Sequence, residues 1–193
     1  MRLKMKDFVL LALLTALYII VYFVAMMIIS LMGPFGHAIS PGVCGLLSGA
    51  ILIFISRKIG KMWQFTLMEL IIMGVFALVG AGYLPWFITS MIGAVLADVI
   101  ASTSNKPSVL KVAIASGLIH VGNALGGIIP ACFFAEQYMN EWIARGQKPD
   151  QMLEMVKATQ GVMGILGTVI TFILSVIGVY IGYSILKGHL KEN

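Results

Sequence analysis

Long apolar runs separated by short polar segments make up most of the chain. Six such runs cover residues 8–32, 38–56, 62–80, 84–103, 108–134 and 159–186. A run of about 20 residues crosses a hydrocarbon core about 30 Å thick as a helix. None of the runs shows the alternating polarity of membrane β-strands, and backbone groups in lipid must bond within their own helix. The pattern predicts an all-α polytopic membrane protein, a bundle of six transmembrane helices forming a single domain over residues 1–193.

One longer polar segment interrupts this pattern between the fifth and sixth runs, at residues 135–158. Its apolar positions recur with helical spacing, which predicts an amphipathic insert. Gly146 is expected to end one short helix, and Pro149 to begin a second that leads into the sixth span. Within the fifth run, Ser108 is a candidate N-cap and Pro130 is expected to kink or end the helix.

Composition supports residence in a lipid bilayer. The chain is 60% hydrophobic and 11% charged, and its mean hydropathy is +0.99. A soluble domain carries about a quarter of its residues as charged side chains. The N-terminal "MRLKMK" followed by an apolar run resembles a signal peptide, but the run exceeds the length of such a region and predicts an uncleaved first span.

The distribution of Lys and Arg predicts the orientation. Ten of these residues fall on one side of the predicted bundle: Arg2, Lys4, Lys6, Arg57, Lys58, Lys61, Lys106, Lys111, Lys187 and Lys191. The other side has only Arg145, Lys148 and Lys157, beside several acidic residues. Both termini are therefore expected in the cytoplasm of a bacterial cell, with the insert outside the plasma membrane. The same rule explains the net charge of +5 without a nucleic-acid partner.

Two polar residues lie inside the fifth run, in "GLIHVGNALGGIIP". With Ser116 and Gly127, His120 and Asn123 form one stripe of a helix. Unpaired polar groups are costly in hydrocarbon, so this stripe should face the bundle interior. It either lines a ligand cavity or forms hydrogen bonds between helices. Asn123, nearer the outside, is the better candidate for ligand contact.

Aromatic residues cluster at the predicted outer side. "GPFGH" contains His37, and "GAGYLPWF" contains Tyr83 and Trp86. They fit an interfacial aromatic belt or the walls of a pocket for a flat ligand. On the opposite side, Glu69 and Asp98 fit snorkelling or pairing with Lys61, Lys106 or each other, and proton transport is the alternative.

Small residues recur at four-residue spacing, which permits close helix packing. The pairs are Gly45 with Gly49, Gly122 with Gly126 and Gly178 with Gly182. In the first span, Ala12 and Ala16 lie near the cytoplasmic end of an otherwise bulky helix, where another protein can dock. Cys44 and Cys132, near the outer ends of their spans, are expected to be buried free thiols, with a disulfide as the alternative.

Sequence signatures of several enzymes are missing. The sequence has no phosphate-binding P-loop, no H-E-x-x-H zinc motif and no G-x-S-x-G elbow. Asp98 is the only aspartate within a span, which excludes a two-aspartate intramembrane protease. The chain is therefore expected to be neither an enzyme nor a holder of a metal or cofactor.

The whole chain shares three features with a known family: six short spans, an outer lid before the last span and A-x-x-x-A in the first span. It resembles the S component, the substrate-capture subunit, of energy-coupling factor (ECF) transporters. The segments "SPGVCGLLSGAIL", "ITSMIGAVLADVI" and "GLIHVGNALGGIIP" look closest to the Trep_Strep, or MptD-like, branch.

The resemblance implies partners and a mechanism. Ala12 and Ala16 would dock on a transmembrane T subunit, which carries two ABC ATPase subunits. A micronutrient would bind at the outer face, mainly to spans four to six and the loops, and be released inside when the subunit topples. By region, the resemblance implies ligand contacts from six residues: Asn123, His120, Trp86, Tyr83, Glu136 and Gln160.

The resemblance leaves the ligand open among vitamins, metal ions and tetrapyrroles. A nickel- or cobalt-type S component has a histidine-rich N-terminus, which "MRLKMKDF" does not match. The aromatic mouth favours a flat vitamin or a porphyrin, with His37 or His120 as a possible axial ligand. Two alternatives remain: a proton-coupled secondary carrier that uses Glu69 and Asp98, and an assembly partner without a ligand.

Overall fold

The computed structural model describes residues 3–102 and 107–188. This part of the chain folds into eight α-helices: α1 Met5–Ser30, α2 Gly36–Lys58, α3 Gln64–Leu78, α4 Leu84–Ala101, α5 Val109–Phe133, α6 Ala135–Ala144, α7 Pro149–Thr159 and α8 Gly161–Leu186. Arg2, Lys106 and Lys191, which the charge argument counted, lie outside the described residues.

Five helices, namely α1, α2, α4, α5 and α8, are long and apolar enough to cross a membrane. They match five of the six predicted spans. The remaining span, 62–80, corresponds to α3, which has only 15 residues. At 1.5 Å per residue α3 is about 22 Å long, less than the hydrocarbon thickness of about 30 Å. The count of six membrane-crossing helices therefore stays a prediction.

Backbone geometry at both ends makes α3 shorter than its apolar run. Trp63, the residue before the helix, has a left-handed backbone with φ of 75°. At the other end Gly80 has φ of 82°, and the Ala81 N–H donates to the Phe76 carbonyl at 2.9 Å. A left-handed glycine with this hydrogen bond is the Schellman motif that ends helices.

The central helices are α2 and α5, which bury most of their apolar window, whereas α1, α4 and α8 bury a third or less. Glycines permit the close packing. A Cβ added to Gly49 of α2 would lie 2.1 Å from the Gly178 carbonyl carbon of α8. A Cβ added to Gly122 of α5 would lie 3.1 Å from the Gly93 Cα of α4. The predicted role of the small-residue pairs in packing this bundle is confirmed.

The insert folds as two helices, α6 and α7, which together are called the lid. As predicted, α6 ends just before Gly146, whose φ is +97°, and Pro149 begins α7. The Arg145 guanidinium donates to the Gly82 carbonyl at 2.6 Å and pairs with Glu141. These contacts attach the lid to the turn between α3 and α4. The lid end of the bundle therefore also contains this turn.

Two acidic residues at the opposite end, Asp7 and Asp98, have structural partners. Lys61, considered above as a partner for Glu69 or Asp98, instead forms an ion pair with Asp7 at 2.5 Å. The Asp98 carboxylate of α4 accepts hydrogen bonds from the Thr66 N–H at 2.8 Å and the Thr66 hydroxyl at 2.7 Å. Asp98 therefore caps the start of α3, since the first N–H groups of a helix need acceptors.

Both cysteines are free thiols, as predicted. Cys44 is buried, but Cys132 is exposed on the surface of the bundle. The expectation that both are buried is wrong for Cys132, which lies next to the last residue of α5 and outside its packed face.

Candidate functional site

A cavity of about 560 Å³ lies at the lid end of the bundle. Its wall combines the C-terminal end of α1, the N-terminal ends of α2 and α4, the last turns of α5, and the lid. The exposed lining residues His37, Gln151 and Glu154 show that it opens to the surface between α2 and α7. Ligand pockets for small molecules have volumes of about 300–1,000 Å³.

Aromatic rings form two groups around this cavity. In the first, Phe76 packs edge-on against Tyr22 and Trp86, with centroid distances of 5.0 and 5.2 Å. In the second, Tyr83 of the α3–α4 turn packs against the lid residues Tyr138 and Trp142 at 5.5 and 5.9 Å. These rings come from α1, α3, α4 and the lid. Of the two interpretations of the aromatic residues, this arrangement fits the pocket wall, with additional members from α1 and α3.

Asn123 lies at the cavity floor and holds Trp86 in position. Its Oδ1 accepts hydrogen bonds from Trp86 Nε1 at 3.0 Å and from the Ser90 hydroxyl at 3.2 Å. Its Nδ2 donates to the Ile119 carbonyl at 3.0 Å. Because both lone pairs of Oδ1 are used, Asn123 offers a ligand little beyond its remaining N–H. Its main effect on the cavity is to fix the Trp86 ring.

His120 is buried below the cavity and does not line it. Its Nδ1 is 2.7 Å from the Ser116 carbonyl of its own helix, and its Nε2 is 2.9 Å from the Tyr18 hydroxyl of α1. Of the two interpretations of the polar stripe, His120 fits the hydrogen bond between helices, whereas Asn123 and Gly127 fit the cavity. With both ring nitrogens engaged, His120 presents no free nitrogen as an axial ligand.

The predicted ligand contacts divide into two groups. Asn123, Trp86, Tyr83 and His37 line the cavity. Glu136 is exposed on the first turn of α6, and Gln160 donates to the Ala131 carbonyl at 2.6 Å, linking the start of α8 to α5. The structure therefore brings four of the seven predicted residues together at one cavity.

Several lining residues were not singled out from the sequence. Tyr22 and Met26 contribute from α1, which was interpreted only as a docking helix, and Gln147, Gln151 and Met155 contribute from the lid. A signal for Tyr22 existed, because Thr15, Tyr18 and Tyr22 place three hydroxyls on one face of an apolar helix. No comparable signal marks the lid residues, because how the lid folds over the bundle determines which of its faces lines the cavity.

The tyrosine hydroxyls at the lid stay protonated near neutral pH. Burial raises the pKa of Tyr138 to about 12. Burial, with a smaller effect of the nearby Glu141 carboxylate, also raises the pKa of Tyr83 to about 12. Both hydroxyls are therefore available to a ligand as neutral donors and acceptors.

Two buried polar groups near the cavity have no hydrogen-bond partner within the described residues. Trp142, a lining residue, has a buried Nε1–H without an acceptor. Both carboxyl oxygens of Glu69, a fully buried residue of α3 beside the Asn123 side chain, have no donor within hydrogen-bond geometry. Unsatisfied buried groups are costly and therefore uncommon, and they often mark sites of function. The described residues contain no cluster of three or more His, Cys, Asp or Glu placed to hold a metal ion.

Five long apolar helices, close glycine packing and a lidded cavity at one end define a helical integral membrane protein. A family model described as "Hypothetical bacterial integral membrane protein (Trep_Strep)" matches residues 5–192. The chain belongs to this family of bacterial membrane proteins. No curated protein and no solved structure matches it.

Proposed function

We propose that the chain is the membrane-embedded substrate-binding subunit of an ECF-type ABC importer. It captures a micronutrient, a vitamin or a tetrapyrrole-like small molecule, from outside the cell. A transmembrane T subunit and two ABC ATPase subunits then drive uptake, so that the chain itself is not an enzyme. The main observation that supports this proposal is the lidded, aromatic-walled cavity of about 560 Å³ at one end of the bundle.

Below this cavity the bundle is packed, which supports capture over independent transport. The next residues of α5 towards the opposite end, His120, Ile119 and Ser116, are all buried at 0–1% exposure. Gly45 adds to the packing, since a Cβ there would lie 2.2 Å from the Ser175 hydroxyl of α8. A subunit that binds cargo at one end and is moved by its partners has no need of a continuous path.

The surface of α1 supports docking of a partner. Ala12 and Ala16 are exposed one helical turn apart, while Tyr22 and Met26 of the same helix line the cavity. Small exposed residues let a second helix approach closely. One helix therefore carries both a candidate docking surface and part of the candidate ligand site.

Lysine positions support an orientation with the lid outside the plasma membrane and both termini in the cytoplasm. The Lys61–Asp7 pair joins the start of α1 to the α2–α3 turn at the end opposite the lid. The basic residues Arg57, Lys58 and Lys61 belong to this turn or the last turn of α2. Positive charge of this kind is retained on the cytoplasmic side.

The docking role is tested with a pair of bulky substitutions. Ala12→Trp/Ala16→Trp is expected to abolish co-purification of the T subunit, while the purified chain keeps its small molecule, identified by mass spectrometry. The matched control is Ile20→Trp/Val24→Trp, two exposed positions with the same spacing in the other half of α1. Equal loss of T-subunit association in both variants, or retained association in Ala12→Trp/Ala16→Trp, would contradict the docking role.

Glu69 favours a second candidate, a self-contained proton-coupled carrier. A buried carboxyl without a hydrogen-bond partner in the described part of the chain is a candidate proton site. Asp98 is less suited to that role, because it is engaged as the cap of α3. Uptake by vesicles that contain this chain alone, lost in Glu69→Gln, would replace the first proposal with the second. If the purified chain bound no small molecule and no T subunit, it would instead be a ligand-free assembly partner of other membrane proteins.

A further inference from the structure

The cavity presents aromatic faces from several directions. Five lining residues carry aromatic rings: Tyr22, Tyr83, Trp86, Tyr138 and Trp142. They belong to α1, the start of α4 and the lid, so a ligand between them meets rings on more than one side. The face of such a ring attracts cations, and cages of several rings bind organic ammonium groups.

The charges at the cavity also favour a cation. Among the described lining residues, Glu154 is the only one with a formal charge, and none is Lys or Arg. The nearest identified guanidinium, Arg145, lies 5.0 Å from the Trp142 ring and is paired with Glu141. A carboxylate or phosphate entering the cavity would lose hydration without gaining a basic partner, which is strongly unfavourable.

Glu69 adds to this preference from below the floor. Its carboxyl is fully buried beside Asn123, and Asn123 accepts the hydrogen bond of Trp86 Nε1. A positive charge above this floor stabilises an ionised Glu69, and a negative charge destabilises it, because the buried region screens charges weakly.

We infer that the cavity selects a flat organic cation, a positively charged heteroaromatic molecule. This inference rests on the proposed capture function and narrows its ligand class. It favours a cationic vitamin-type heterocycle over a carboxylated tetrapyrrole, whose acidic side chains would meet no basic residue among the described lining. Glu154 supplies negative charge at the cavity, a bound cation favours ionisation of the buried Glu69 below it, and the five aromatic residues supply the contact surface.

The test compares three probes of similar shape: N-methylquinolinium, quinoline and quinoline-2-carboxylate, which are a cation, a neutral molecule and an anion at pH 8. Binding is measured to the purified chain in nanodiscs of zwitterionic lipid, with protein-free nanodiscs as the control. A Trp63→Phe background removes the one tryptophan of three that does not line the cavity, so the remaining fluorescence comes from Trp86 and Trp142.

The cation is expected to bind at least tenfold more tightly than the other two probes. Glu154→Gln and Glu69→Gln are each expected to weaken binding of the cation more than binding of quinoline, so that the advantage of the cation falls. Biosynthetic replacement of the two cavity tryptophans by fluorinated analogues is expected to weaken cation binding in proportion to the number of fluorines, since fluorine removes negative charge from the ring face. A purely structural role of these rings would not produce that series.

Equal binding of the three probes, preference for the anion, or no binding of any probe would overturn the inference. The proposed capture function is judged separately. A chain that assembles with the T subunit and retains an anionic small molecule keeps its function and loses only the cation preference. A chain that binds no probe, retains no molecule and joins no T subunit loses both.

Discussion

Both nitrogens of the His120 ring are engaged, which determines how the ring is protonated. The Ser116 carbonyl can only accept, so Nδ1 carries the proton, and Nε2 of the neutral ring accepts from the Tyr18 hydroxyl at 2.9 Å. This pair joins α5 to α1 beneath the cavity without touching its interior. His120 is therefore a positioning residue for α1 rather than a ligand contact.

Tyr18→Phe tests this role. Loss of the hydroxyl leaves the buried Nε2 without a partner, and the chain is expected to lose about 1–3 kcal/mol of unfolding free energy. Thermal unfolding in detergent measures the loss. Small-molecule retention, measured by mass spectrometry, is expected to stay unchanged.

The double variant Tyr18→Phe/His120→Leu serves as the control, because replacing both partners by apolar groups removes the unsatisfied nitrogen. It is expected to recover part of the lost stability. The positioning role would be refuted if Tyr18→Phe unfolded at the wild-type temperature. It would also be refuted if the variant lost the retained small molecule while its stability stayed normal.

At the scale of helices, glycine determines which helix pairs pack backbone against backbone. Gly49 and Gly178 bring α2 and α8 so close that neither position has space for a Cβ atom. In lipid such contacts are driven by van der Waals packing, because lipid tails are as apolar as the side chains. One methyl group added at the α2–α8 contact should therefore lower the stability of the bundle more than a methyl group added at its exposed surface.

A matched pair of substitutions measures this sensitivity. Gly49→Ala places a Cβ 2.1 Å from the Gly178 carbonyl, whereas a Cβ at Gly74 of α3 meets nothing within 4 Å. Gly49→Ala is expected to cost about 1–3 kcal/mol through overpacking. Gly74→Ala is expected to be neutral or to stabilise its helix by about 0.5–1 kcal/mol. Thermal unfolding of the two variants, measured side by side, tests this difference. Equal stability of the two variants would contradict the claim that the α2–α8 contact has no space for a Cβ atom.

For the whole molecule, local patterns carried most of the information that the sequence supplied. Apolar runs predicted six spans, five of which are long helices, and Gly146 and Pro149 predicted the boundaries of the lid helices. These signals lie within the element that they define. The length of α3 was overestimated, because the left-handed turns at Trp63 and Gly80 do not change the hydropathy of the run.

Contacts between distant parts of the chain could not be predicted in the same way. Tyr18 and His120 are 102 residues apart, and Gly82 and Arg145 are 63 apart. Which of these residues meet depends on the arrangement of the helices, and no repeating pattern encodes it. For the same reason, the sequence indicated a cavity near Trp86 and Asn123 but not the contribution of Tyr22.

The two ends of α3 connect the arrangement of the bundle to its membrane topology. Its preceding turn contains Lys61, which pairs with Asp7 at the end opposite the lid, and its following turn contains Gly82, which binds Arg145 of the lid. If the lid is outside, the turn after α3 should also be outside, although α3 has only 15 residues. The turns on either side then complete the crossing, which makes six spans.

Cysteine labelling in intact cells tests orientation and span number together. The background carries Cys132→Ser, which removes the exposed native thiol and retains the buried Cys44. Lys148→Cys in the lid and Val79→Cys after α3 are both expected to react with a membrane-impermeant maleimide before cells are opened. Lys58→Cys, exposed at the end of α2, is expected to react only after permeabilisation. Labelling of Lys148→Cys without Val79→Cys would leave five crossings, and the reverse accessibility of the lid and Lys58 would invert the proposed orientation.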